Sequence, residues 1–296
     1  MMWRRLRRFA AVTLLLGLGA VSSRAASQEP APPETPIDRA LRRLYNFDFA
    51  GSLAILHEAE RAMPDHPLVY SVRAGTYLFM ELDRLKILET RFFLNDDNLV
   101  DGTGKLEPDP TVRNKLFATL ERCRQVAGER LAADPDDVDA LFAMCMAAGV
   151  ETDYAALVER RTWRSLRLAP TMLVHAKKLL ARTPPFYDAY LNFGSLEYVV
   201  GDLPFFIRWF IRYDGIKGSK QRGIDQLKQT ASHGRYYGPY ARILLAVVYL
   251  REKRPDESAR LLEGLSREFP ENRLFRDELA RIRQLIRKHQ NKQIRG

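Results

Sequence analysis

From residue 37 to the end of the chain, apolar residues recur three and four positions apart, and no stretch alternates strictly enough to form a strand. That periodicity leaves room for one fold class, all-α. Proline sets the segment lengths, because it cannot continue a helix in the ordinary way. Pro64, Pro135, the pair Pro184-Pro185 and Pro270 each close a helix or mark a loop. Ile37, Leu41 and Leu44 line a short helix, 45–49 turns, and Leu53, Leu56 and Ala59 line a second helix closed by Pro64. The helix after Pro67 places Tyr70, Ala74 and Tyr77 together and runs to about residue 93. Further helices are expected over 112–133, 140–148, 152–168 and 170–182, then over 185–202 and 224–231, with the last over 274–289.

Within this series the stretch 185–204 is the most informative. Tyr190 is a large residue, Phe193-Gly194 puts a small residue where two helices can cross closely, Tyr198 is aromatic, and Gly201-Asp202 turns the chain. In that order these features resemble the first helix of a tetratricopeptide repeat (TPR), a helix–turn–helix unit of roughly 34 residues. Phe49-Ala50-Gly51-Ser52, Ala59 and Pro64 resemble the second helix, and Pro255, Ser258, Leu265 and Pro270 repeat the theme near the end. The resemblance implies a TPR-like right-handed solenoid of antiparallel helix pairs over 37–291. An acidic loop at 95–109 interrupts it, and a basic helix at 274–289 caps it, as the polar outer end of a stack requires. The stretch 188–272 also resembles the eukaryotic TPR group associated with inclusion-body clearance. The shared parts are the Gly-containing first helix, a Leu-Pro apolar helix, and Gly215 and Gly218 ahead of Arg222-Gly223-Ile224. That group brings no catalytic residues to carry over.

The N-terminal residues read as an export signal rather than as fold. Arg4, Arg5, Arg7 and Arg8 precede an uncharged apolar run of thirteen residues, 9–21, and Ser23 and Ala25 are small residues at the positions a signal peptidase reads. Residues 1–25 are therefore expected to be a signal peptide; retention as an anchor is the alternative, against which the run falls short of the ~18–20 residues that span a bilayer. Four prolines make 26–36 an extended spacer. Cleavage would remove five arginines and no acid, taking the formal charge from +10 to +5. A chain of that charge carries no nucleic-acid footprint. The expected location is the periplasm or cell envelope.

Motifs for chemistry fall short on inspection. His57-Glu58-Ala59-Glu60-Arg61 starts like a zinc-protease helix but has Arg where the second imidazole must stand. The acids of 95–109 lack the alternating oxygen pattern of a calcium loop. Gly102-Thr103-Gly104-Lys105 is followed by Leu106 instead of the Ser or Thr of a phosphate loop. The Gly-rich basic turn 214–223 could cradle a phosphate through its backbone N–H groups, or it could simply supply Gly223 as a small packing residue. No catalytic residue, metal or cofactor is expected. Cys123 and Cys145 lie on consecutive helices that the loop at Pro135 turns back on each other, so they are either a disulfide, which export permits, or two small core residues. The preferred function is a non-catalytic scaffold that binds a protein or peptide segment on its concave face. Tyr70, Tyr77, Asp188, Asn192, Tyr198 and Tyr240 are its candidate contacts, with packing as the other role open to each aromatic. The alternative is a membrane-associated assembly or trafficking factor that sets the aromatic helix 205–213 and the basic turn 217–222 against lipid.

Overall fold

In the computed structural model residues 33–89, 106–203 and 215–294 are described, and every regular element among them is helical. The signal peptide, most of the spacer, most of the loop at 95–109 and the aromatic helix 205–213 lie outside these residues. Eleven α-helices follow one another: α1 (Pro36–Tyr45), α2 (Phe49–Ala62), α3 (Pro67–Arg84), α4 (Pro110–Ala133), α5 (Val138–Asp153), α6 (Thr162–Leu180), α7 (Tyr190–Asp202), α8 (Lys220–His233), α9 (Gly238–Arg251), α10 (Pro255–Glu268) and α11 (Arg273–Ile294). Local chemistry starts them. Thr35 and Asp38 form a capping box ahead of Pro36, Asp109 accepts from the N–H groups of Thr111 and Val112 ahead of Pro110, and Asp137 and Ser219 cap α5 and α8. Side-chain oxygens thereby take up N–H groups that have no partner within the helix, and proline at the first position loses nothing there.

Each helix packs against the next along the whole series, and α3 also packs against α5. Helix α5 is buried on nearly every side by Ala140, Leu141, Phe142, Ala143, Cys145, Met146 and Ala147. With the π-helical turn Tyr154–Val158 that extends it, α5 is long and apolar enough to cross a membrane by length and composition. More than half of that segment is buried within the protein, as suits a helix wrapped by its neighbours. The sequence places a break near residue 169, whereas α6 runs unbroken through Pro170. Pro170 sits on the exposed side while Ala169, Leu173 and Ala176 pack inward. Packing of that inner face holds the helix together across the missing N–H.

The tight crossing expected at Gly194 is present. A Cβ on Gly194 would come to 3.0 Å from the Gly223 carbonyl oxygen and the Leu227 nitrogen, and one on Gly223 to 2.7 Å from the Gly194 oxygen. Helices α7 and α8 thus meet backbone to backbone. The pair is also clamped by a buried acid of α7. Glu197, fully buried, accepts from the N–H groups of Lys217 (3.0 Å) and Ser219 (2.9 Å) and pairs with Arg222. The Gly-rich turn considered as a phosphate cradle therefore already holds an anion, the carboxylate of its own chain. Gly215 and Gly218, at φ of 87° and 67°, let the turn curl around it.

The series does not end apart from where it begins. The Tyr45 hydroxyl at the end of α1 donates to the Tyr236 carbonyl (2.9 Å), and the Asn272 amide donates to the Tyr45 carbonyl (2.9 Å). The Tyr45 ring lies against Phe269, the Asn46 side chain accepts from the Glu271 N–H, and Arg235 pairs with Asp38. Helix α1 is thus joined to the α8–α9 and α10–α11 connections.

Candidate functional site

The expected contact residues are placed unequally. Tyr70 is buried, donates to the Pro64 carbonyl and has the guanidinium groups of Arg73 and Arg122 over its ring at 5.7 and 5.6 Å. Asp188, 2% exposed, accepts from the N–H groups of Arg235 (2.9 Å), Tyr236 (2.8 Å) and Tyr237 (2.6 Å). Burial raises the Asp188 pKa, and these three donors oppose the shift. Asn192 is buried with its Oδ1 unpaired, and Tyr198 is buried with its hydroxyl on Glu252. These four side chains face their own core and offer no surface to a partner. Tyr77 and Tyr240 are half-buried and pack against the main core.

Cys123 and Cys145 are free, buried thiols. The Cys123 Sγ faces the Pro67 and Ala143 carbonyls, whereas the Cys145 Sγ faces the Met172 carbonyl on α6. They point to different neighbours, so adjacency along a helical hairpin does not make them a disulfide. Burial pushes the Cys123 thiol up to about 12.

Tyr240 leads to a site that residue-by-residue reading missed. Its hydroxyl donates to the Asp153 Oδ2 (3.2 Å), its ring meets Phe79 edge-on at 5.4 Å, and Tyr237 lies 5.9 Å away. Tyr237 in turn meets Phe142 edge-on at 5.2 Å, and Tyr236 stacks on Phe142 at 5.4 Å. Side chains of α3, α5 and α9, with Tyr45 of α1 close by, converge here. Asp153, Tyr237 and Tyr240 are only half-buried. Yet protein encloses them so fully that burial dominates their ionisation. It lifts the Asp153 carboxyl to about 6, against the opposing hydrogen bond from Tyr240, and holds both phenols well above their usual value. One signal in the sequence could have pointed to this site: Glu151 and Asp153 follow directly on the uncharged run 140–150, where charge is expensive unless it is used. A carboxyl hydrogen-bonded to a phenol in this way can accept a proton or a cation.

Comparison with known proteins gives no relatives: no family model, no curated protein and no solved structure matches this chain.

Proposed function

We propose that this protein is a non-catalytic interaction scaffold of the bacterial cell envelope, a TPR-like solenoid of antiparallel helix pairs that holds a peptide or protein segment against its inner helices. Three features support the reading. Each helix packs against the next, the α7–α8 pair crosses through Gly194 and Gly223 as a TPR pair would, and side chains of α1, α3 and α5 meet at Tyr236 and Tyr240. The observation that carries it is the half-buried group Tyr237, Tyr240 and Asp153, aromatic and acidic surface left partly accessible against the core. Aromatic residues supply rigid contact area at low entropic cost, which is what a peptide receptor needs.

Selection of a displayed random-peptide library on the full chain tests this. The expected result is a convergent peptide family whose affinity falls by at least roughly tenfold in a folded Tyr240→Ala variant, the loss of one interface anchor. No enrichment, or enriched peptides that ignore the substitution, would remove the inner-face reading.

A further inference from the structure

Asp153 is a carboxyl group whose one hydrogen-bond partner among the described residues is the Tyr240 hydroxyl. No Lys, Arg or His among those residues forms an ion pair with it, whereas Glu197 pairs with Arg222, Glu151 with Arg124 and Arg164, and Asp137 with Arg130, and Asp188 is held by three backbone N–H groups. At the same end of α5 the Thr152 Oγ1 is buried with no hydrogen-bond partner. The strongest ionisable neighbours of the two phenols are Tyr45 from α1, Cys145 and Asp153 from α5 and Asp188 from the segment before α7. The basic group in reach of Tyr45 is Arg242, which is paired to Glu268 at 2.7 Å. A protein that encloses a carboxylate normally supplies its countercharge. Here the site supplies aromatic rings instead, and ring faces attract cations.

We propose that this partly accessible group of Asp153, Tyr237 and Tyr240 binds an organic cation, the ammonium or guanidinium group of a basic side chain on the captured segment. Asp153 is the countercharge, and the rings of Tyr237 and Tyr240 are the walls. This rests on the peptide-binding reading and adds the chemistry of its central contact. The cation needs the carboxyl in its ionised form, so binding strengthens as pH rises through the range where Asp153 ionises. Tyr240 donates a hydrogen bond to the carboxylate and leaves its ring face to the ligand.

The test uses n-butylammonium as probe and n-butanol as its uncharged counterpart, titrated into the full chain while the tyrosine ring signals are followed by NMR. Butylammonium is expected to shift the Tyr237 and Tyr240 signals saturably and butanol is not. Affinity is expected to rise about tenfold between about pH 5 and about pH 7, as the carboxyl loses its proton. Asp153→Asn is expected to abolish the response while Tyr240→Phe, which keeps the ring, retains most of it. Equal shifts from both probes, or an unchanged response in Asp153→Asn, would overturn the proposal. The two readings separate cleanly. Peptides selected without any preference for Lys or Arg would leave the scaffold standing and remove the cation site. A butylammonium response with no peptide selected would do the reverse.

Discussion

Asp188 and Asp153 show what a residue's identity conveys and what it withholds. Both are acids close to aromatic residues on helices that resemble the inner members of a repeat. Asp188 was expected to meet a partner, and it caps the α8–α9 connection from 47 positions away. No local pattern distinguishes the two fates, because an N–H group from the same chain and one from a ligand satisfy a carboxylate equally. Asp153 drew no attention, since its aromatic neighbours come from α3 and α9. Its enclosure has a measurable consequence. Its pKa lies near 6 in the folded chain against 3.8 for the free side chain, so the native state binds the proton more tightly than the unfolded state does. Stability from this group is therefore complete below about pH 4 and declines as pH rises through about 6. Asp153→Asn is expected to stabilise the protein by up to roughly 2 kcal/mol at pH 7, with the gain vanishing near pH 4. Urea unfolding of both proteins at the two pH values measures this; an equal gain at both would refute it.

Elements were more legible than residues where one backbone contact decides them. Gly194 announced a close crossing, and the structure puts another glycine, Gly223, directly opposite. Gly223→Ala sets a Cβ 2.7 Å from the Gly194 oxygen and the Tyr198 nitrogen, and backbone cannot retreat as a flexible side chain can. Destabilisation by about 1–3 kcal/mol is expected. Gly128, exposed on α4 with nothing near its Cβ position, serves as the control. There alanine is expected to add about 0.5–1 kcal/mol by restricting the unfolded chain. Thermal unfolding of the two variants should move in opposite directions, and a shared direction would contradict the crossing. Pro170 was misleading for the opposite reason. Its cost is local, but the packing of α6 on its neighbours, which outweighs that cost, is not written near residue 170.

At the scale of the whole molecule, the succession of helices could be read from their periodicity, and the meeting of α1 with the last connections could not. Tyr45 reads as an ordinary aromatic at a helix end, yet it touches Tyr236, Phe269 and Asn272, about 190–230 positions further on. Such pairings bring no periodic signature with them. Tyr45→Ala removes a buried ring and a buried hydroxyl, and a cost of about 3–5 kcal/mol is expected. Hydrogen exchange followed residue by residue should show faster exchange both in α1 and in α9–α11. Loosening confined to α1 would mean that the contact joins nothing.

That contact also bears on how such a chain can change over generations. An open stack of helical pairs grows or shrinks by a whole unit, since each unit touches its neighbours alone. Here Tyr45, Asn46 and Asp38 must still find Tyr236, Glu271 and Arg235 after any such change. Duplicating or deleting one pair would carry those partners past each other, like removing a stave from a hooped cask. The number of helices is therefore fixed by the joint, and diversity among descendants is confined to side chains and to connections that lie outside it.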